Sequence, residues 1–244
     1  MWRGYHKLGP DVFERLTCVP STYPTSSVQG QVDLGPGLFA LVLDDIIPDA
    51  LLLEIEQLAS DVGYEDALLN TGNVKQEAGV HNAEARKSKR AVFTSQECAG
   101  KVWDLVREFL PPLEEVPGPR WKGWEPVGVN PVLRVLSYSS SDFFETHMDG
   151  SYADDETKTK SFLTLQVYLN DGGGHDFKGG GTRFFIPPPK GDPEGEIITQ
   201  DVVPKKGRVL LFQHNIWHEG ERIVPKSGTK RVLRTEIMFA KQAM

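Results

Sequence analysis

The chain has 244 residues, 39% hydrophobic and 25% charged, which places it among globular proteins long enough to bury a large core. A formal charge of -7 gives no electrostatic reason to expect nucleic acid or an anionic membrane as partner, and no apolar run approaches bilayer-spanning length. Two cysteines, Cys18 and Cys98, cannot make a disulfide framework, so a reducing compartment, cytoplasmic or nuclear, is expected.

Residues 1–36 carry Pro10, Pro20, Pro24, Gly30, Gly35 and Pro36 and read as an irregular arm, wrapped on the body through Trp2, Tyr5 and Phe13. The first ten residues are polar and lack the apolar segment of a secretory signal. Leu38 to Leu43 is a short apolar run that predicts a strand. Ile47 to Leu58 has Pro48 and Asp49 at its start and apolar residues at helical spacing, which predicts a helix. Residues 60–93 are polar and lack long apolar periodicity; they read as a surface loop, and residues 70–92, with Arg86 and Arg90, as a substrate-binding lid. Ser95 to Leu110 carries the stripe Cys98, Val102, Leu105, Val106 and Phe109 of an amphipathic helix, stopped by Pro111 and Pro112. Pro117 to Pro131 reads as a turn-rich bridge containing Trp121 and Trp124.

From residue 132 the pattern turns to short strands: 132–138, 143–149, 161–169, 182–186, 196–203, 207–214 and 229–239, with turn signals between. Such spacing predicts a sandwich or barrel, mainly β, with the helices on one face. No linker or internal repeat divides the chain, so one domain is expected, with the arm and helices in 1–127 and a β-core in 128–240.

His147 and Asp149 lie two residues apart in Phe143-Phe144-Glu145-Thr146-His147-Met148-Asp149-Gly150, and on a strand such a pair shares a face. The apolar run Gly207 to Trp217 leads into His218 and then a turn glycine, Gly220. Two imidazoles and one carboxylate suit Fe(II), Mn(II) or Zn(II), and as a facial triad with open positions they mark non-haem iron oxygenases. His214 is the rival for the third ligand, while His6, His81 and His175 sit in polar or glycine-rich stretches that read as surface.

These motifs, in order, resemble the Fe(II)- and 2-oxoglutarate-dependent dioxygenases, in their prolyl 4-hydroxylase-like branch. The likeness covers about residues 128–239, with a weaker echo in 80–110. It rests on Tyr138 and Phe144 ahead of His147-Met148-Asp149-Gly150, then Ser161, Thr164 and Tyr168-Leu169-Asn170, then Gly180-Gly181-Thr182-Arg183-Phe184. The distal part is His218, Gly220, Val224 and Gly228-Thr229-Lys230. The chain departs from the family's pattern in Ser139-Ser140-Ser141-Asp142 and in the prolines 187–189, both beside the expected mouth.

The resemblance implies a double-stranded β-helix, the jelly-roll or cupin-like core. It implies Fe(II) on His147, Asp149 and His218, 2-oxoglutarate and O2 as cosubstrates, and ascorbate as a supporting reductant. Lys230 would pair with the distal carboxylate of 2-oxoglutarate, since a buried charge must be matched. Tyr138 and Tyr168 would bond that cosubstrate or line its pocket. Arg234 shares the face of Lys230 by strand alternation and is the runner-up or a second charge there, whereas Arg231 faces away. The implied reaction is hydroxylation of an unactivated C–H bond with decarboxylation of 2-oxoglutarate to succinate, on a peptidyl residue, proline first. A free amino acid or other small molecule is the alternative substrate, and a non-catalytic metal-binding module the alternative class.

Overall fold

In two of the central strands, Ala40–Leu43 and Val209–Gln213, every residue is buried, the pattern of strands covered on both faces. The computed structural model describes residues 28–32, 34, 38–70, 79–80, 82–111, 123–188 and 195–242. In chain order the elements are β1 (Val28–Gln31), β2 (Ala40–Leu43), α1 (Asp49–Val62), β3 (Glu65–Asp66), β4 (Leu69–Asn70), β5 (Gly79–Val80), β6 (Arg86–Lys87) and β7 (Lys89–Thr94). There follow α2 (Gln96–Val106) with a 3-10 turn at Arg107–Phe109, β8 (Trp124–Val129), β9 (Val132–Tyr138), β10 (Phe143–His147), β11 (Ala153–Asp154) and β12 (Thr159–Tyr168). The last are β13 (Thr182–Ile186), β14 (Ile198–Val202), β15 (Val209–Gln213), β16 (His218–Gly220) and β17 (Lys230–Lys241).

Among the described residues a larger sheet runs β1-β2-β15-β12-β17-β9-β7-β3, with β11 on β12 and β8 on β17; a smaller one runs β14-β13-β16-β10-β6. Strand alternation gives the larger sheet two buried faces. Leu41, Leu133, Val135, Leu163, Leu165, Val167, Leu211, Leu233 and Ile237 pack with Leu51, Leu52 and Ile55 of α1 and Cys98, Val102 and Val106 of α2. The alternate residues Val42, Leu136, Tyr138, Tyr168, Leu210, Phe212 and Val232 face the smaller sheet and pack with Phe184 and Val202. The order is helices, larger sheet, smaller sheet, the expected mainly-β jelly roll with supporting helices.

Both helices form on their predicted stripes, α1 running past Leu58 to Val62 and α2 ending at Val106 with the 3-10 turn after it. Ser95 caps α2 by accepting from the Cys98 N–H at 3.1 Å, and α1 stops at Gly63, whose φ of 82° suits glycine.

Four expectations change. Residues 60–93 are not one polar loop: β7 pairs with β9 over Lys89 to Thr94, and β6 pairs with β10. Arg86 and Arg90 therefore sit on strands and not on a lid; β7 reads Lys89-Arg90-Ala91-Val92-Phe93-Thr94, with polar ends and no polar-apolar alternation, which hid it. Trp124–Val129, read as a bridge, is a strand on β17 despite Pro126 and Gly128, with a register shift at the Met238/Phe239 step. Val28–Gln31 extends the larger sheet instead of belonging to an irregular arm. The larger sheet thus takes strands from both sides of residue 127. The proposed contacts of Trp2, Tyr5 and Phe13, along with residues 112–122 and 189–194, lie outside the described residues.

Leu165 has no exposed surface in the middle of β12, between β15 and β17. Leu165→Ala is expected to lower unfolding free energy by about 2–5 kcal/mol, read by urea denaturation.

Candidate metal centre

β10 runs antiparallel to β16 with a register shift after Phe144 that sets His147 opposite His218. The two imidazoles lie with ring centroids 4.2 Å apart. β10 ends at His147, so simple alternation does not deliver Asp149; its N–H donates to the His214 carbonyl at 2.9 Å, which turns the chain back over the site. Asp149 Oδ1 is then 3.8 Å from His147 Nε2, and Oδ2 is 3.8 Å from His218 Nε2. One donor atom from each of the three lies within 4.8 Å of the others.

Backbone carbonyls fix the tautomers. His147 Nδ1 lies 2.7 Å from Glu145 O, and His218 Nδ1 lies 2.9 Å from Ile216 O. A carbonyl only accepts, so Nδ1 carries the proton and the Nε2 lone pair points toward the carboxylate, as a metal-binding imidazole requires. Burial, reinforced by His218, pushes His147 down to about 3, and burial likewise lowers His218. Burial would raise the Asp149 carboxyl, but the Arg234 guanidinium and the surrounding imidazoles of His218, His147 and His214 together outweigh that and hold it well below the usual carboxylate range. At neutral pH the set is two neutral nitrogens and one carboxylate, which fits a divalent ion such as Fe(II). Phe144 stacks on the His147 ring at 3.5 Å and 19°, and Phe212 meets His218 edge-on at 4.7 Å, so neither ring is free to turn.

A chain of hydrogen bonds stands behind the carboxylate. Thr164 Oγ1 donates to Asp149 Oδ2 at 2.5 Å and lies 3.0 Å from His214 Nδ1. His214 Nε2 is 3.0 Å from Ser161 Oγ, which accepts from the Tyr152 N–H at 2.7 Å. Burial lowers His214 to about 4, so the ring is neutral. Since Thr164 spends its hydroxyl proton on Asp149, His214 Nδ1 must donate to Thr164 and Nε2 must accept from Ser161. His214 therefore braces Asp149 and is not the third ligand. On the other side Arg234 contacts Asp149 Oδ1 at 3.2 Å and Glu236 at 2.5 Å, and Asn130 donates to Glu236 at 2.8 Å.

The triad opens into a cleft of about 520 Å³ between the sheets. Lys230 and Tyr138, paired across β17 and β9, line it together with Gln166 and Thr182. Lys230 is 4% exposed, and its Nζ donates to Gly180 O at 2.6 Å. Burial lowers Lys230 to about 8, against a smaller opposing pull from Glu221. Gly180 has φ 73°, and a Cβ there would come within 2.5 Å of Ile223, so only glycine presents this carbonyl to the lysine.

Not every expected residue reaches the cleft in the expected way. Tyr168 is fully buried behind the wall, its hydroxyl 2.7 Å from Thr182 Oγ1, and it is Thr182 that faces the cavity. Arg234 lines the cleft but is engaged by Asp149 and Glu236, which takes it away from the role of second charge beside Lys230. Arg231 faces outward, as alternation predicts, and pairs with Glu56 at 2.9 Å. Arg86 and Arg90 both line the cleft; Arg86 lies over the Phe144 ring at 4.5 Å, and Arg90 bonds Glu65 at 3.0 Å. His175 is on the surface beside Asp176, and His6 and His81 lie outside the described residues. Gln166, Arg134 and Glu236 were overlooked in the sequence, and Thr164 entered only as a motif position without a role. Each is a polar residue at alternate positions of an otherwise apolar strand, and that interruption was the available signal.

A two-histidine, one-carboxylate centre between the sheets of a jelly roll defines the class: a non-haem metal oxygenase core. Residues 133–236, which hold the three donors and Lys230, match the model of the 2OG-Fe(II) oxygenase superfamily. That superfamily uses Fe(II), 2-oxoglutarate and O2, and the triad fits the iron. No curated protein matches the sequence. Among solved structures, a prolyl hydroxylase from Trichoplax adhaerens, in complex with a hypoxia inducible factor oxygen degradation domain peptide, is similar with TM-score 0.53 and 16% identity; the match covers 81% of this chain and 82% of that one. The viral collagen prolyl hydroxylase of Paramecium Bursaria Chlorella virus-1, a 2OG complex, is similar with TM-score 0.50 and 17% identity, over 82% and 96%. At these identities the likeness establishes the fold. No helix among the described residues is long and apolar enough to cross a membrane.

Thr164→Val keeps the shape but leaves Asp149 without its donor and His214 Nδ1–H without its acceptor. Co(II) affinity is expected to fall about 10- to 100-fold, read by titration of the metal's visible absorption.

Proposed function

We propose that this protein hydroxylates an unactivated C–H bond of a peptidyl proline, with His147, Asp149 and His218 as iron ligands and Lys230 and Tyr138 at the cosubstrate. The observation that carries the reading is Lys230: a buried ammonium whose hydrogen-bond partner among the described residues is one carbonyl, facing the same cleft as three metal-competent donors. A buried cation so poorly compensated calls for an anion, and the far carboxylate of 2-oxoglutarate supplies one.

Bound at the triad, Fe(II) together with 2-oxoglutarate and O2 supplies the oxidising power for such a bond, 2-oxoglutarate leaving as succinate and carbon dioxide. The chain's own part is positional. Carbonyls behind both histidines keep the Nε2 lone pairs forward, Thr164 and Arg234 hold Asp149 ionised, and Lys230 orients the diacid. Gln166 and Thr182, linked at 3.3 Å, offer polar groups along its length. Proline in a peptide is favoured as target because the two similar folds are prolyl hydroxylases, one of them bound to a peptide.

The test is a mass-shift screen with Fe(II), 2-oxoglutarate and ascorbate. Addition of one oxygen to a proline-containing peptide, dependent on O2 and lost in His218→Ala, is expected. Oxidation confined to free amino acids moves the target to small molecules, and the absence of any O2-dependent succinate from folded, iron-loaded protein leaves only a metal-binding module.

Lys230 carries a pH prediction of definite sign. Its folded value of about 8 lies below the ordinary 10.5, so between these pH values the unfolded chain holds more of this proton. Stability of the ligand-free protein relative to Lys230→Met should therefore rise with pH across that window, by up to about 1.4 kcal/mol per unit. Affinity for 2-oxoglutarate should move the other way, weakening above pH 8 as the lysine loses its charge, and Lys230→Met should abolish that dependence. Paired denaturation and calorimetric titrations read both.

A further inference from the structure

The cleft has a second cationic region, separate from Lys230. Arg134 stands opposite Arg234 on the inner face of the larger sheet, while Lys230 stands opposite Tyr138. Four residues along β17 separate the two positions by about 13 Å. Arg90 comes from the next strand, β7, and lines the same cleft. One buried carboxylate serves two guanidinium groups here: Glu236 Oε1 is 2.5 Å from Arg234 and 3.4 Å from Arg134. Its other oxygen accepts from Asn130, and the second arm of Arg234 is on Asp149.

Among the described residues Arg134 is therefore left with the long contact to Glu236 and the Val132 carbonyl at 3.3 Å. Among the described residues the ion-pair partner of Arg90 is Glu65, which lies in solvent. Burial, with Arg234 and Arg90 adding to it against the pull of Glu236, lowers the guanidinium of Arg134 from its usual value. A cosubstrate diacid cannot relieve this: one carboxylate belongs at the metal and the other at Lys230.

We propose that Arg90 and Arg134 form a carboxylate subsite for the substrate, so that the molecule oxidised carries a negative charge beside its reacting carbon. The proposal rests on the oxygenase reading and narrows its substrate class. In a peptide the charge is an acidic side chain next to the target residue; in a free amino acid it is the α-carboxylate. An Arg fork is suited to either, since it grips a carboxylate with two parallel N–H groups.

The test measures binding without turnover, anaerobically, on the Mn(II)-loaded protein saturated with 2-oxoglutarate so that Lys230 is already paired. The probes are fluorescein-labelled proline peptides with Glu flanking the proline, the same peptides with Gln, and unlabelled L-proline and prolinamide as competitors. The charged member of a pair is expected to bind on the order of 10- to 100-fold more tightly, a preference reduced at least tenfold in Arg134→Gln. Arg90→Gln, whose partner Glu65 is exposed, should weaken the same preference without threatening the fold. Preference among the peptides assigns the charge to a side chain, and preference for proline over prolinamide assigns it to an α-carboxylate. Equal affinity within both pairs, or no binding by any probe, overturns the proposal. A charge preference without oxygen addition in the mass-shift screen keeps the subsite and removes proline as target.

Discussion

A buried carboxylate held ionised between an arginine and two neutral imidazoles is the interaction on which this structure turns. Asp149 would be expelled or protonated in such a place if left alone. Arg234 on one oxygen and Thr164 on the other keep it charged and aimed, and the carbonyls of Glu145 and Ile216 keep both imidazoles neutral with their lone pairs forward. The chemistry of the donor set is thus written into groups that do not themselves touch a metal.

Those groups tie the site to the sheet. Thr164, Gln166, Arg234, Glu236 and Arg134 occupy adjacent inward positions on β12, β17 and β9, and the opposite faces of the same strands carry Leu163, Leu165, Leu233 and Val135 against the helices. Each strand buries apolar weight on one side and a polar apparatus on the other. Packing with α1 and α2 therefore stiffens the arginines and the threonine that stiffen Asp149. On the outer side of the smaller sheet, Arg183 clamps Asp201, Glu219 and Glu221 across β14, β13 and β16, and so steadies the strand that presents His218.

Much of this was legible in the sequence, and the misses have physical reasons. The strands of the second half stand out because they are short apolar runs with clear turns, and His147, Asp149, His218 and Lys230 stand out because their motifs are ordered. β7 was hidden because its apolar stretch is only Ala91-Val92-Phe93 between polar ends, without alternation, so it reads as a loop; with it went the placement of Arg86 and Arg90. β8 was hidden by Pro126 and Gly128, which β17 tolerates through a register shift. Alternation correctly put Arg234 on the face of Lys230 but could not reveal that Asp149 and Glu236 arrive there to claim it. Tyr168 shows the same limit: its face was right, and its depth behind Thr182 was beyond the reach of spacing.

The most direct measurement is anomalous X-ray scattering from crystals loaded anaerobically with Fe(II). A single iron peak within coordination distance of the Nε2 atoms of His147 and His218 and a carboxylate oxygen of Asp149 is the predicted result. Iron bound through His214, iron confined to the surface group Asp171, His175 and Asp176, or no iron at all would contradict it.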